Sequence, residues 1–312
     1  MKLLDLPSTT SAKIRKARTR NLKWLPPLAK KDYTTQQKIA QLKIPGVYYQ
    51  LAPERFYPEG SQSDHLLGFV GKNQNNLPQG YFGLEGYYNR ELGGKPGRIL
   101  EERDALNYPI LLTQENIIDP QPGRDLSTSI DRTVQYIIST QLESGLVKYR
   151  AGSGTVSVMD PQTGEILGMA ALPAYDPSNY SQFSPELFRN PVISITYEPG
   201  STLKVVVMAA ALDAKVITPT SICEACSGPV VIGDKTVRSW NDKYYPHSTM
   251  TDVILHSDNV GMVYVSRKLG KEKLHKYFKT FGLDNLTGID LEGEVAPSLR
   301  PENQWRDIDL AV

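Results

Sequence analysis

Two polar side chains near the middle of the sequence have the types and spacing of an acyl-transfer site. Ser201 and Lys204 lie three residues apart in the segment YEPGSTLK, where the most apolar helix of the chain is predicted to begin. At that spacing two helical residues share one face. A serine hydroxyl is a weak nucleophile without a base beside it, and burial favours the neutral amine that could be that base. Taken alone, the pattern also fits an N-cap serine followed by a lysine that reaches solvent.

A second polar group follows in the segment HSDN, residues 256–259. Ser257 and Asn259 flank Asp258 where one predicted helix ends and the next begins. In an extended link, alternate residues point the same way, so Ser257 and Asn259 are predicted to face one cleft and Asp258 the other side. Ser257 could then relay a proton between Lys204 and a leaving group, and Asn259 could hold a substrate amide. By itself this tripeptide is also a common helix-linking loop.

Helices and a hairpin are predicted around these side chains. Ser129 or Asp131 can cap a helix whose apolar residues recur at helical spacing, and these are Val134, Ile137, Ile138, Leu142 and Leu146. The alternation over 154–160, the turn signal at 161–164 and the apolar run 165–172 predict a β-hairpin.

Three further helices are predicted after the hairpin. The helix from Ser201 to Ala211 is apolar almost all round, so we expect it to be buried. Another helix is predicted to begin in the segment 248–257, where Thr249 and Asp252 fit a capping box. The last follows Asn259 and ends near Leu269, with Gly270 as a plausible C-cap residue.

The first part of the chain is less regular. Residues 33–125 are rich in Gly, Pro, Tyr and Asn, with a strand-like piece at 46–53 and a helical stretch near 84–92. Turn residues at 93–97 and a linker-like segment at 119–126 follow. These features predict an irregular α+β module without internal repeats.

Composition limits the class of protein. The 312 residues are 40% hydrophobic and 22% charged, with net charge +1, as in an ordinary soluble globular protein of one large or two domains. The longest apolar run has eight residues, Val205 to Leu212, too short to span a membrane. Two cysteines exclude a disulfide scaffold. Residues 1–31 hold nine Lys or Arg against one acid, Asp5, which indicates a solvated basic arm.

Together the two polar motifs point to one family. Penicillin-binding proteins and class A β-lactamases share the ordered motifs S-x-x-K, S-D-N and K-T-G. Here the first two occur 56 residues apart, and long flanking segments resemble the class B penicillin-binding proteins, the monofunctional peptidoglycan D,D-transpeptidases. The segments that carry this resemblance are RFYPEG, HLLGFVG, GLEGYYNRELGGKPG, GTVSVMDPQTGEILGMAALPAYDPSNY, YEPGSTLK and RSWNDKYYPHSTMTDVILHSDNVGMVYVSRKLG.

The resemblance implies a division of the chain and an α+β fold. Residues 1–32 would form a basic arm, 33–124 a pedestal of the dimerisation type, and 125–312 the N-terminal part of a transpeptidase domain. The family's catalytic domain packs helices on both faces of a five-stranded, mainly antiparallel sheet. This chain would supply its first two strands and the helical region, which leaves an unpaired edge at 154–172.

The resemblance also implies roles and partners. Ser201 would be acylated by a stem peptide ending in D-Ala-D-Ala, Lys204 would be its general base, and Ser257 and Asn259 would form the second motif. β-Lactams would trap the serine, and no metal or organic cofactor is expected. A glycosyltransferase and division or elongation proteins are expected partners, and nucleic acid is not. The family's place is the outer face of the bacterial cell membrane, held by an N-terminal helix.

The sequence departs from the family pattern at both ends. No K-[ST]-G triplet follows Asn259, no anchor helix precedes the pedestal, and the final residues, DIDLAV, carry no stop signal. We therefore expect a truncated catalytic domain that folds poorly and acylates slowly by itself. A non-catalytic scaffold or β-lactam sensor is the alternative, and a serine β-lactamase is disfavoured because it needs no pedestal.

The segment CEAC, residues 223–226, leaves three interpretations open. The two cysteines could have a structural role, unpaired or as a local disulfide outside the cytoplasm. They could bind a metal with His247 as a third ligand, although no fourth ligand is evident. A catalytic role is the third interpretation.

Overall fold

The computed structural model describes residues 8–20, 22, 25, 28–49, 54–100 and 116–311. The chain forms two compact units, residues 1–56 and 57–312. Both helices and antiparallel strands are present, which agrees with the predicted α+β class. The domain limits predicted at residues 32/33 and 124/125 stay a prediction. Asp5 of the basic arm lies outside the described residues.

The first unit contains two helices, α1 (Ser8–Thr19) and α2 (Tyr33–Gln41). The Asp32 carboxylate caps α2 by accepting a 2.6 Å hydrogen bond from the Thr35 amide. The strand predicted at 46–53 is not found at 46–49, and 50–53 lie outside the described residues. Alternation alone does not make a strand: Tyr48 is 88% exposed, and its apolar neighbours are exposed as well, so no face of this segment is buried.

The second unit begins with short elements. Strands β1 and β2 pair antiparallel, as do β3 and β4. The helical stretch predicted near 84–92 is confirmed, although it is divided at Tyr88 into two short helices. In chain order the elements are α3 (Asp64–Leu67), β1 (Phe69–Lys72), β2 (Pro78–Tyr81), α4 (Gly83–Tyr87), α5 (Asn89–Leu92), β3 (Arg98–Leu100) and β4 (Asn116–Ile118).

The predicted helix and hairpin of the next segment are confirmed as α6 (Arg132–Tyr149), β5 (Gly154–Met159) and β6 (Ile166–Leu172). Asp131, not Ser129, caps α6. The Ser129 hydroxyl instead donates to the Ile166 carbonyl. Helix α6 packs on the hairpin, but Ile137 is exposed because it lies off that face. In the part of the chain that the structure describes, β5 and β6 pair only with each other, so three strands of the expected five-stranded sheet are not seen there.

The last part of the second unit contains the largest apolar core. Its buried residues come from α8, α9, α10 and α11, together with Ile217, the two cysteines and Leu310. The elements are α7 (Pro191–Ser194), α8 (Leu203–Asp213), β7 (Val230–Ile232), β8 (Lys235–Val237), α9 (Met250–Leu255), α10 (Asn259–Leu269) and α11 (Lys271–Thr280).

One expectation about this core is wrong. Helix α8 was expected to be buried all round, yet Val205 is 64% exposed and Leu212 is exposed too. The opposite face, with Val207, Ala210 and Ala211, is buried against α10 and α11. One side of the helix is therefore covered by other helices, and the composition of α8 alone does not reveal which side.

The two cysteines form a disulfide. Cys223 and Cys226 are bonded to each other and both are almost fully buried in the core around α8 and α10. Of the interpretations that the sequence left open, the local disulfide is the one found. Sulfurs bonded to each other cannot act as thiolate ligands, so the pairing with His247 around a metal is wrong.

Polar contacts join the first elements of the second unit to later parts of the same unit. The buried Asp64 carboxylate accepts a 2.5 Å hydrogen bond from the Tyr175 amide, and the Tyr175 hydroxyl donates to the Asp64 carbonyl. Burial raises the pKa of the Tyr175 hydroxyl, which keeps it a donor. Farther along, Glu292 accepts a hydrogen bond from the Phe82 amide. The contacts of Tyr175 therefore tie residues 57–100 to the segment that follows β6, and the contact of Glu292 ties them to the segment that follows α11.

No described helix has the length and apolar character needed to cross a membrane.

Gln135 is the residue that fastens α6 to the hairpin. Its side chain is 2% exposed, donates to the Met169 carbonyl at 2.8 Å and accepts from the Met169 amide at 2.8 Å. It also donates to the Gln62 carbonyl at 2.7 Å. A single amide therefore satisfies three buried or half-buried backbone groups.

We predict that Gln135→Ala destabilises the protein by about 3 kcal/mol, because it removes the side-chain partner of the Met169 amide and carbonyl and leaves the Gln62 carbonyl with only the Ser139 hydroxyl. Urea unfolding followed by circular dichroism measures the change. Gln141→Ala is the matched control, since Gln141 is an exposed glutamine of the same helix. A loss no larger than that of the control would contradict the prediction.

Candidate active site

The buried ammonium of Lys204 is the centre of the candidate site. Lys204 lies in the first turn of α8 and is 4% exposed. Its Nζ donates to the Ser257 carbonyl at 2.8 Å, to Ser257 Oγ at 3.1 Å and to Asn259 Oδ1 at 2.6 Å. The structure therefore brings together three of the four residues predicted from the two motifs, although Lys204 lies more than 50 residues before the other two.

Ser201 lies just before the helix. It belongs to a short 3-10 turn, Gly200–Thr202, that leads into α8, and not to α8 itself as predicted. Gly200 has φ +60°, a left-handed conformation that glycine adopts without strain, so this turn favours glycine immediately before the serine. Ser201 is exposed, and within the described chain its hydroxyl has no hydrogen-bond partner. The hydroxyl is thus accessible to a ligand from solvent.

The link between α9 and α10 differs from the predicted one. Ser257 has φ +51°, so the segment is not extended. The Ser257 amide donates to the Ile254 carbonyl and the Asp258 amide to the Val253 carbonyl, which is the pattern of a Schellman turn. This turn, and not strand-like alternation, places Ser257 and Asn259 on the same side.

Asp258 closes the start of α10. Its Oδ1 accepts the Val260 amide at 2.9 Å, and the residue is 2% exposed. Its Oδ2 is buried without a hydrogen-bond partner among the described residues. The sequence predicted that Asp258 faces away from the cleft. Its negative charge nevertheless acts on Lys204.

The pKa of Lys204 is lowered from its ordinary value because burial disfavours the charged amine. The negative charge of Asp258 acts in the opposite direction and holds that pKa higher than burial alone would. Two opposing effects therefore set the pKa of Lys204: desolvation of the ammonium lowers it, and the nearby Asp258 carboxylate raises it.

One member of the site had no signal in the sequence. The Arg238 carbonyl accepts a 2.8 Å hydrogen bond from Asn259 Nδ2. The Asn259 amide is therefore oriented from both ends, with its oxygen on Lys204 and its nitrogen on a loop 21 residues earlier. A backbone carbonyl in an irregular loop carries no residue-type pattern, so the sequence could not indicate it.

No group of three or more potential metal ligands occurs within the described ranges.

Two family models match the chain. Residues 154–312 match the model of the penicillin-binding protein transpeptidase domain, and residues 2–128 match the model of the penicillin-binding protein dimerisation domain.

Individual relatives agree with these matches. The chain is 35% identical over 88% of its length to stage V sporulation protein D of Bacillus subtilis, and 30% identical over 88% to peptidoglycan D,D-transpeptidase FtsI of Escherichia coli. It spans 42% and 45% of those two proteins, less than half of each. Among solved structures, penicillin-binding protein 3 of Mycobacterium tuberculosis is similar with TM-score 0.69 at 26% identity, covering 83% of this chain and 53% of that one.

We predict that Asp258→Asn lowers the pKa of Lys204 further, because it removes the charge that favours the ammonium. Asparagine remains a good N-cap residue, so α10 should keep its start. As pH rises, the Nζ of the variant should lose its proton at a lower pH than in the parent protein. NMR titration of the Lys204 side chain measures both midpoints.

Asp252→Asn is the matched control, because Asp252 closes the capping box of α9 and has no part in the Lys204 shift. The control should leave the Lys204 midpoint where it is. A midpoint that stays constant or moves upward in Asp258→Asn would show that the carboxylate does not act on the amine.

Proposed function

Because the chain belongs to the class B penicillin-binding proteins, we propose that it carries out the acyl-transfer chemistry of peptidoglycan D,D-transpeptidation through Ser201. The observation that carries the proposal is the buried Lys204 amine, one turn after an accessible serine and hydrogen-bonded to Ser257 and Asn259. Relatives named peptidoglycan D,D-transpeptidase support the assignment of this reaction.

In the proposed first step, Ser201 Oγ attacks the carbonyl carbon of the penultimate D-Ala of a stem peptide. A C–O bond forms, the serine proton passes to Lys204, and the peptide C–N bond then breaks. The terminal D-Ala leaves with a proton on its amine. An ester between Ser201 and the shortened stem peptide remains.

Lys204 can accept that proton only as the neutral amine, and its burial favours this form. The neutral amine keeps two N–H groups and one lone pair. Two of its three present hydrogen bonds can persist while the lone pair accepts a proton. The lowered pKa thus increases the fraction of Lys204 that is competent at neutral pH.

Ser257 is placed to pass the proton onward. Its hydroxyl lies 3.1 Å from Lys204 Nζ. Once Lys204 holds the serine proton, the ammonium can pass a proton to the Ser257 oxygen while the Ser257 hydroxyl releases its own proton to the leaving amine, which returns Lys204 to its neutral form. Asn259, held by Lys204 and the Arg238 carbonyl, would orient the backbone amide of the bound peptide. The positive end of α8 would stabilise the oxyanion near Ser201.

In the second step, the amine of a neighbouring stem peptide attacks the ester carbonyl and a cross-link forms, which regenerates Ser201. β-Lactams, whose strained amide resembles the D-Ala-D-Ala end, would acylate the same hydroxyl. We place this chemistry on the outer face of the bacterial cell membrane. A glycosyltransferase that polymerises the glycan strand, together with division or elongation proteins, would be the partners.

We predict that a fluorescent penicillin forms a covalent adduct on the Ser201 peptide of this 312-residue chain and that Ser201→Ala abolishes it, because no other described serine has a buried amine one turn away. Intact-protein mass spectrometry after prolonged incubation gives the stoichiometry. Peptide mapping gives the position of the adduct.

Ser181→Ala, which changes an exposed serine away from Lys204, is the control and should label as the parent protein does. Equal labelling of Ser201→Ala, or an adduct on another residue, would contradict the role of Ser201. A folded protein that forms no adduct at all would favour a non-catalytic scaffold instead.

A further inference from the structure

The helix α1 presents a cationic face that the proposed reaction does not use. Lys13, Lys16 and Arg20 recur at intervals of three and four residues along α1 and the residue after it, so they lie on one side. All three side chains are exposed. Helix α1 contains no acidic residue, and its other cations, Arg15 and Arg18, are exposed as well.

These cations have no counter-ion within the described part of the first unit. Its two described carboxylates are occupied elsewhere: Glu54 lies 3.2 Å from Lys30, and Asp32 caps α2 through the Thr35 amide. An unneutralised group of cations on one helix face attracts anions at close range.

A groove borders this face, and its second wall is apolar. The groove has a volume of about 210 Å³ between the cations of α1 and three leucines of the following segment. Its charged and apolar sides are formed by Lys13, Lys16, Arg20, Leu22, Leu25 and Leu28.

The apolar side chains near the cations are not fully withdrawn from solvent. Leu22 is 56% exposed, and Leu28 and Ile14 are partly exposed as well. Cations next to exposed aliphatic side chains are typical of helices that lie in the headgroup region of a bilayer, where phosphate neutralises the charge and acyl chains cover the apolar groups. A soluble polyanion would use only the charged side.

We propose that this basic groove, formed by the residues given above, binds the surface of a bilayer that contains anionic phospholipid. Lys13, Lys16 and Arg20 contact the lipid phosphates, and Leu22 and Leu28 insert beside the acyl chains. The contact is separate from Ser201 chemistry and orients the first unit against a membrane. Its failure would therefore leave the proposed reaction untouched.

The test is flotation of the 312-residue chain with phosphatidylcholine vesicles, made with and without phosphatidylglycerol. We expect binding only to the anionic vesicles, and binding should fall when salt is raised from about 0.05 to about 0.5 M because the charges are screened. Each basic residue near an anionic surface contributes about a fivefold change in partition, so K13Q/K16Q/R20Q should reduce binding by about 100-fold.

A matched variant separates position from total charge. K271Q/K273Q/K276Q removes the same three charges from exposed positions of α11 and should bind nearly as the parent protein does. L22S/L28S should also weaken vesicle binding, since it removes the inserted side chains while the charge is kept. Circular dichroism confirms that each variant is folded.

Three results would overturn the proposal. One is equal binding by K13Q/K16Q/R20Q and the α11 variant. Another is binding that L22S/L28S does not change and that soluble polyphosphate abolishes, which would identify a polyanion site. The third is absence of binding to anionic vesicles at low salt.

Discussion

The candidate site depends on satisfying one ammonium group inside the protein. A buried lysine is costly unless its N–H groups find acceptors, and Lys204 has three, all from Ser257 and Asn259. These hydrogen bonds hold the start of α8 against the start of α10. The same contacts that stabilise the buried lysine thus bring together the polar groups on which the proposed acyl transfer depends.

The need to place hydrogen-bond acceptors around Lys204 also constrains the backbone of Ser257. A left-handed conformation at the end of a helix favours glycine, and a serine there is strained. Glycine would relieve that strain, but it would lack the hydroxyl that lies 3.1 Å from Lys204. The turn is kept in place from both sides, by amide hydrogen bonds to the end of α9 and by the Asp258 cap of α10. Local strain is therefore retained where Ser257, the proposed proton relay, occupies a position suited to glycine.

Much of this arrangement could be predicted from the sequence, because it rests on short-range patterns. The hairpin of β5 and β6, the capping box of Thr249 and Asp252, and the end of α10 before Gly270 follow from alternation and capping rules. The sequence also predicted that Lys204 lies near Ser257 and Asn259, and the structure brings these three side chains together. The features that the sequence did not predict depend on tertiary context. They are the exposed side of α8, the exposed segment at 46–49 and the Arg238 carbonyl that orients Asn259.

The correct grouping of Ser257 with Asn259 was reached through an incorrect local geometry. Residues i and i+2 lie on one side in an extended link. They also lie on one side in a Schellman turn that is followed by the start of a helix. The grouping of the two side chains therefore did not reveal which of these two backbone conformations is present. The difference matters for Asp258. In an extended link its carboxylate would point away from the site, whereas in the observed turn it caps α10 and its negative charge opposes the lowering of the Lys204 pKa by burial. The middle residue of the motif therefore acts on the site through charge, although it does not bind the lysine.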